Sequence, residues 1–215
     1  MNNDLTELVF ILDRSGSMAG LEDDTIGGFN AMVARQKKEP GQALLSAVLF
    51  SDESTVLYDR VDIRKVEPMT EQQYQAGGCT ALLDAVGGAV RHIANVHKYA
   101  REEDRPGRTI FVITTDGMEN ASRRFLLREV QQMIAREQEE HGWEFLFLGA
   151  NIDAVSVATD FRIRPDRAVR YCGDSDGTAL NFRVVSETVS RMRRHESVGS
   201  DWSAPIEADF SRRGR

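Results

Sequence analysis

The chain has 215 residues, of which 41% are hydrophobic and 28% charged, and its formal net charge is −7. This length suits one domain of generous size, or one domain with a tail, and the composition is typical of a soluble globular protein. The acidic balance disfavours a nucleic-acid-binding protein that works through a broad basic surface, so we expect no nucleic-acid partner.

Cysteine content and the first apolar run indicate the compartment. Cys79 and Cys172 are too few for a disulfide framework, so a reducing environment is the default. The first apolar run covers only residues 8–12 and is followed at once by Asp13 and Arg14. Because this run is too short for a signal peptide or a membrane span, we expect a cytoplasmic protein without a membrane segment.

Strand-like apolar runs alternate along the chain with segments of helical periodicity. Buried strands are predicted at 5–12, 43–50, 108–115, 143–150 and 168–172. The run at 55–61 follows a turn and is predicted to pair antiparallel with the strand before it. Helices are predicted at 22–38, 80–100, 124–140 and 178–194, with a short one near 153–159. This alternation predicts an α/β fold: a doubly wound, mostly parallel central sheet with one antiparallel edge strand and helices on both faces.

The periodicity is lost after residue 195. We therefore divide the chain into a domain at 1–195 and a C-terminal tail at 196–215. The tail carries Trp202, Ile206 and Phe210 and ends in basic residues. The sequence leaves open whether this tail docks on the domain, binds a partner or is flexible. It also leaves open the oligomeric state.

Oxygen-bearing side chains follow two of the predicted strands and begin one predicted helix. Asp13, Ser15 and Ser17 follow the first strand. Asp116 follows the most apolar strand, and Thr80 stands where the second long helix begins. Because ligand sites of open α/β sheets lie beyond the carboxyl ends of the strands, we expect these three loops to lie together. Carboxylate and hydroxyl oxygens suit Mg²⁺, Mn²⁺ or Ca²⁺ and are poor ligands for zinc or copper.

Each of these residues also has a purely structural interpretation. Ser17 and Thr80 would be N-caps of the helices that follow them, and Asp116 with Gly117 would form a turn. Asp84, in the first turn of its helix, is interpreted as a carboxylate that favours the helix dipole, with an indirect role at the site left open. The structural interpretation is preferred for each residue alone, but three such clusters together favour an ion site.

Three short motifs resemble the metal-binding loops of von Willebrand factor A (VWA) domains. DRSGS at 13–17 resembles the Asp-x-Ser-x-Ser signature of that family, and GGCTAL at 77–82 resembles the loop that supplies its threonine. ITTDG at 113–117 resembles the loop of its second aspartate. The segment FLGANIDAV at 147–155, with WEF just before it, resembles stand-alone bacterial VWA proteins. The resemblance covers about residues 5–195 and implies a bacterial, cytoplasmic protein with the Rossmann-like VWA fold.

The resemblance also implies a function. In VWA domains these loops form a metal-ion-dependent adhesion site (MIDAS), whose remaining position is filled by an acidic side chain of a partner. Asp13 would hold Mg²⁺ (or Mn²⁺ or Ca²⁺) partly through water, and Ser15 and Ser17 would coordinate it directly. Thr80 would be a direct or water-bridged ligand, and Asp116 an outer-sphere carboxylate. The chain would be a protein-interaction module that binds a partner Asp or Glu, and not an enzyme.

One other motif predicts a different function. GDSDGTAL at 173–180 contains the Asp-x-Asp-Gly-Thr sequence of haloacid-dehalogenase-like phosphatases, so a Mg²⁺-dependent phosphatase using this segment is the alternative hypothesis. The motif lies late in the chain and follows the weakest predicted strand, which favours a turn and an N-cap for the last helix. As an EF-hand loop, the stretch has Ala179 where glycine is required.

Glycine pairs interrupt two predicted helices, at 27–28 and 87–88, at a cost of about 1 kcal/mol per glycine. We interpret them as points where a helix packs closely on the sheet. Cys79, beside Thr80, is interpreted as a small buried residue.

Overall fold

A six-stranded sheet forms the centre of the protein, which a computed structural model describes for residues 1–213. The strands, in chain order, are β1 (Asn2–Asp13), β2 (Gln42–Phe50), β3 (Ser54–Asp62), β4 (Pro106–Thr115), β5 (Glu144–Ala150) and β6 (Ala168–Tyr171). Their order in the sheet is β3-β2-β1-β4-β5-β6, and β3 is antiparallel to β2 while the other neighbours are parallel. The predicted fold class, with its antiparallel edge strand, is confirmed.

Helices cover both faces of this sheet. In chain order they are α1 (Glu22–Gln36), α2 (Leu82–Tyr99), α3 (Leu127–His141), α4 (Ala154–Asp160), α5 (Ser175–Arg193) and α6 (Ala204–Arg213). Successive side chains of a strand point to opposite faces, so Phe10 packs in the layer with α1, α5 and α6, and Ile11 in the layer with α2, α3 and α4. None of the helices within residues 1–213 is long and apolar enough to cross a membrane.

Local signals set several helix ends. Gly142 follows α3 in the left-handed conformation (φ 64°), which glycine adopts without the steric penalty of a Cβ. The side chain of Asp153 accepts a hydrogen bond from the backbone N–H of Ser156, and Asp174 accepts one from Gly177. These two aspartates therefore cap α4 and α5.

The interpretation of the glycine pairs as helix-to-sheet contacts is wrong. A Cβ built on Gly28 would lie 2.3 Å from Cδ2 of Phe182 in α5, and one built on Gly87 would lie 2.7 Å from the ring of Phe125. For Gly27 and Gly88, no atom of residues 1–213 comes within 4 Å of such a Cβ, apart from those of the chain neighbours and of the helix's own backbone. One glycine of each pair therefore makes room for an aromatic side chain that comes from outside the sheet.

Alanine substitutions at the two adjacent glycines of α1 should have opposite effects. Gly28→Ala should lower the free energy of unfolding by about 1–3 kcal/mol, because the ring of Phe182 must leave its position. Gly27→Ala should raise it by up to about 1 kcal/mol, because that position is open and alanine is the better helix former. Urea unfolding of both variants measures the difference, and a loss of stability of equal size in both would contradict this account.

The C-terminal segment packs on the rest of the chain. Trp202 and Ile206 are buried in the layer of α1 and α5, and Nε1 of Trp202 donates to the carbonyl oxygen of Asp166 at 2.8 Å. Residues 196–213 are docked in the structure, and residues 214–215 of the predicted tail lie outside the described residues. The division of the chain after residue 195 stays a prediction.

Candidate metal centre

The three predicted loops meet at the carboxyl ends of β1 and β4. These parallel strands are neighbours at the centre of the sheet. The connection after β1 leads to α1 on one face, and the connection after β4 leads to α3 on the other. This is the topological switch point of a doubly wound sheet, where the diverging connections leave a crevice.

Backbone hydrogen bonds fix the loops relative to one another. The N–H of Gly16, in the loop after β1, donates to the carbonyl of Gly78 at 2.9 Å. Asn120, in the loop after β4, makes two hydrogen bonds to Thr80. The N–H of Asn120 donates to the carbonyl of Thr80 at 3.0 Å, and Oδ1 of Asn120 accepts from the N–H of Thr80 at 2.9 Å. The loop before α2 is thus tied to both of the others.

Asp13 is held at the end of β1 by three contacts. Its Oδ1 accepts from the N–H of Ser15 at 2.7 Å, and its Oδ2 accepts from Oγ1 of Thr115 at 2.6 Å. The hydroxyl of Tyr74 donates to its backbone carbonyl. Because each carboxylate oxygen already accepts a hydrogen bond, the orientation of the Asp13 side chain is set before any ligand arrives.

The remaining predicted residues lie in the same cluster. Oγ of Ser15 and Oγ of Ser17 are 3.1 Å apart, and Ser17 donates to Oδ1 of Asp116 at 2.5 Å. A Cβ built on Gly117 would lie 2.9 Å from Oγ1 of Thr80 and 3.5 Å from Oγ of Ser17, so both hydroxyls flank this glycine. The structure thus brings all five predicted side chains together, and their role as metal ligands stays a prediction.

The interpretation of Ser17 and Thr80 as N-caps is wrong. Ser17 lies inside a short 3-10 turn, Gly16–Met18, and the N-cap of α1 is Leu21. Thr80 lies one residue before Ala81, the N-cap of α2. Both hydroxyls therefore face the loop cluster and do not terminate a helix.

Asp13 and Asp116 are buried carboxylates, 1% and 5% exposed. Within residues 1–213, no lysine, arginine or histidine forms an ion pair with either of them. Burial raises the pKa of Asp116, the Ser17 hydrogen bond lowers it in part, and the charge of Asp13 raises it again. Because burying charge without an opposite partner is costly, a divalent cation would stabilise this cluster.

The donor set consists of oxygen atoms only. Among residues 1–213, no three His, Cys, Asp or Glu side chains converge as metal ligands. A cation at these loops would therefore depend on the serine and threonine hydroxyls as well as on the two carboxylates. Such hard oxygen donors fit Mg²⁺, Mn²⁺ or Ca²⁺.

Asp84 holds the loop that follows β4. Its Oδ2 accepts from the N–H of Arg123, and its Oδ1 accepts from those of Arg124 and Phe125, each at 2.9 Å. Asp84 does lie in the first turn of α2. The helix-dipole interpretation is nevertheless incomplete, because the same carboxylate anchors the 117–125 loop to α2.

Glu119 was not identified from the sequence, and it organises the same loop from within. Its carboxylate accepts from the N–H groups of Leu83, Ala121 and Ser122 at 2.8, 3.0 and 2.8 Å, and from Oγ of Ser122 at 2.8 Å. It thereby satisfies a free N–H at the start of α2. The only sequence signal was an acidic residue in a polar loop next to a helix start.

The residues of the DSDGT motif have structural roles. Oδ1 of Asp174 accepts from the N–H of Gly177 at 2.8 Å, and its Oδ2 lies 2.8 Å from Nη1 of Arg213. A Cβ on Gly177 would lie 2.0 Å from the carbonyl oxygen of Cys172, so the close approach requires glycine. The side chain of Asp176 is 91% exposed. The predicted turn and N-cap at this segment are confirmed.

Cys79 is exposed, so its interpretation as a buried residue is wrong. The neighbouring carboxylate of Asp52 raises the pKa of the Cys79 thiol, because it favours the protonated form. The neutral thiol is therefore favoured over the reactive thiolate, although the residue lies next to Thr80.

Comparison of the chain with family models and with curated protein sequences gives no match. Its structure, however, is similar to several solved ones. Proximal thread matrix protein 1 from the mussel byssus, solved with a zinc-occupied MIDAS motif, superposes with a TM-score of 0.59 at 17% identity, covering 86% of this chain and 46% of that one. A von Willebrand factor type A protein from Catenulispora acidiphila superposes with a TM-score of 0.52 at 16% identity, and the match covers 84% of this chain and 41% of that one.

BatB from Bacteroides thetaiotaomicron is similar over nearly its whole length. Its TM-score is 0.53 at 13% identity, and the match covers 88% of this chain and 99% of that one. The present chain spans less than half the length of the mussel and Catenulispora proteins. Identities this low establish the fold alone. The chain has the von Willebrand factor A fold.

Proposed function

We propose that the chain is a metal-dependent protein-interaction module with a MIDAS-type site. The observation that supports this most directly is the pair of buried carboxylates, Asp13 and Asp116, which cluster with hydroxyls and form no ion pair within residues 1–213. A bound divalent cation supplies positive charge and a coordination position for an outside carboxylate. Asp13, Ser15, Ser17 and Thr80 would hold the cation, and Asp116 would act through its hydrogen bond with Ser17.

Mg²⁺ is the proposed ion, with Mn²⁺ or Ca²⁺ as alternatives. Zinc occupies the MIDAS motif of the mussel protein. In this chain the five side chains offer only oxygen atoms, whereas zinc in proteins prefers nitrogen and sulfur ligands. The hydroxyl-rich donor set therefore favours the harder cations.

The proposed ligand is an aspartate or glutamate side chain of a protein partner. Gly16 and Ser17 are exposed, while Asp13 and Ser15 are buried, so the cluster is approached from the side of Ser17. A pair of unit charges in contact near a protein surface attracts by about 4 kcal/mol before desolvation. The net charge of −7 opposes an acidic partner only weakly, because exposed charges beyond about 8 Å are screened at physiological salt.

Binding without turnover is the proposed outcome at this site. The hydrogen bonds of the histidine side chains within residues 1–213 go to Asp59, Glu7, Arg108 and Asn3, and none reaches the serine or threonine hydroxyls of the cluster. A hydroxyl nucleophile needs a neighbouring general base to be activated, and histidine is the usual one. The one carboxylate to which a cluster hydroxyl donates is Asp116, which we propose acts in holding the cation. The site is therefore better suited to holding a carboxylate than to attacking a substrate.

Affinity capture tests this proposal. The immobilised wild-type protein should retain a partner from its native lysate in Mg²⁺ and release it in EDTA, and Asp13→Ala should retain none. Changing the acidic residues of the captured partner one at a time should identify a single Asp or Glu that binding requires. Retention by Asp13→Ala equal to wild type, or retention unaffected by EDTA, would overturn the proposal.

A further inference from the structure

A polar pocket lies at the end of the sheet opposite to the metal centre. It has a volume of about 450 Å³, a size suited to a small molecule. The pocket lies between the C-terminal halves of α2 and α3, beside the start of β4. The side chains that carry its chemistry are His97, Lys98, Arg105, Thr109, Glu137 and Trp143.

His97 forms a fixed polar point on the wall of this pocket. The residue is 7% exposed, and its Nε2 lies 3.3 Å from Oε2 of the fully buried Glu7. The same oxygen accepts from Nε of Arg60 at 2.9 Å. The imidazole also packs edge-on against Trp143, with ring centroids 5.4 Å apart. Since Nε2 is engaged by Glu7, the other ring nitrogen, Nδ1, is the one that remains for a ligand, and it has no partner within residues 1–213.

The charge of the pocket is positive. The side chain of Arg105 makes no hydrogen bond or ion pair within residues 1–213, and its Nε is buried. Lys98 also pairs with no carboxylate of the described residues, and its ammonium group lies 5.4 Å from the ring centroid of Tyr99. The buried carboxylate of Glu137 is matched by Arg136, whose Nη2 lies 2.5 Å from Oε1. The lining holds four lysine or arginine side chains against two carboxylates, so an excess of positive charge faces this space; the cations are Lys98, Arg105, Arg108 and Arg136, and the carboxylates are Glu137 and Glu140.

We propose that the pocket binds a small molecule that carries a carboxylate or phosphate group, with Arg105 as the anion-binding residue. The terminal nitrogens of the Arg105 guanidinium have no acceptor among residues 1–213, so they are available to the oxygens of an anion in the pocket. The planar guanidinium also matches either anion with two parallel hydrogen bonds. When Nε2 of a neutral His97 ring donates to Glu7, Nδ1 is an acceptor, so it can take a hydrogen bond from a protonated oxygen of the ligand, such as a phosphate hydroxyl. This site is separate from the metal centre and does not depend on it.

The two tryptophans of the chain give a direct readout of binding. Trp143 lines the pocket, whereas Trp202 lies elsewhere, with its Nε1 bonded to the carbonyl of Asp166. The indole N–H signals of ¹⁵N-labelled full-length protein are followed by NMR during titration with inorganic phosphate and, separately, with acetate. The protein is first stripped of metal with EDTA and then dialysed into metal-free buffer without the chelator, so that neither a cation at the metal centre nor the carboxylates of EDTA contribute, and ionic strength is held constant. Binding should move the Trp143 signal with saturation and leave the Trp202 signal in place.

Arg105→Gln should weaken the response of Trp143 to the anion about tenfold or more, because it removes a charged hydrogen-bond donor. Arg101→Gln is the matched control, since Arg101 is an exposed arginine outside the pocket, and it should titrate like wild type. A response to phosphate alone assigns a phosphate ligand, a response to acetate alone assigns a carboxylate ligand, and a response to both supports the shared chemistry. No saturable shift with either anion, equal movement of both indole signals, or wild-type binding by Arg105→Gln would overturn the proposal.

Discussion

Asp13→Asn should abolish the rise in melting temperature that Mg²⁺ produces in the wild-type protein. A ligand that binds only the folded state, at a free concentration 100 times its dissociation constant, stabilises that state by about 2.7 kcal/mol. For a chain of this size the gain corresponds to roughly 5–10 °C. The asparagine retains an oxygen that can accept one of the two hydrogen bonds of Asp13, but it lacks the negative charge that a cation requires. Differential scanning fluorimetry in Mg²⁺ and in EDTA measures the effect.

Asp174→Asn is the matched control for this measurement. It removes one carboxylate from the motif of the phosphatase alternative, and its side chain is half exposed at the start of α5. It should therefore keep the full Mg²⁺-dependent rise. A rise in Asp13→Asn as large as in wild type would contradict the proposed site, and so would a wild-type melting temperature that does not respond to divalent cations. Phosphatase turnover that disappears in Asp174→Asn would favour the alternative.

The positions of the candidate ligands followed from the sequence because they depend on few and general rules. Apolar runs alternating with helical segments define a doubly wound sheet, and parallel strands place their carboxyl ends at one edge. Asp13 and Asp116 each follow a buried parallel strand, and β1 and β4 are neighbours in the sheet. Thr80 is brought to the same edge because the loop before α2 bonds to both strand-end loops. Local pattern and topology together were sufficient for this part of the structure.

Features that depend on contacts between distant segments were not predicted. Helix α6 was not predicted, although Ile206 and Phe210 are four residues apart, as on one helix face. It is held by docking: Ile206 is buried, and the ring centroid of Phe210 lies 4.1 Å from the guanidinium carbon of Arg170 on β6. The partner of Gly28 is a ring that lies 154 positions further along the chain. Likewise, the N–H groups that donate to the carboxylate of Asp84 belong to residues about 40 positions further along the chain. A carboxylate in a first helical turn looks the same in sequence whether it only faces the helix dipole or anchors another loop.

Asp84→Ala should lower the free energy of unfolding by about 2–3 kcal/mol, because it removes the acceptor of three backbone hydrogen bonds. Three fully buried hydrogen bonds to a charged group would contribute more, but the side chain of Asp84 is partly exposed. Asp84→Asn can keep the oxygen that serves Arg124 and Phe125, so it should lose only about a third of that amount. Urea unfolding measures the loss of stability. Hydrogen exchange should become faster at the amides of residues 123–125 in the alanine variant, because they lose their acceptor.

Asp23→Ala separates loop anchoring from the helix dipole. Asp23 is an exposed carboxylate in the first turn of α1, so its removal should reduce stability by at most about 1 kcal/mol. If Asp84→Ala were no more costly than Asp23→Ala, and if the amides at 123–125 kept their protection, Asp84 would act through the dipole alone. If Asp84 anchors the loop, its alanine variant should also bind Mg²⁺ more weakly, because Asp116 stands where that loop leaves β4. Asp23→Ala should bind Mg²⁺ as the wild type does, since its side chain has no part in the loop that follows β4.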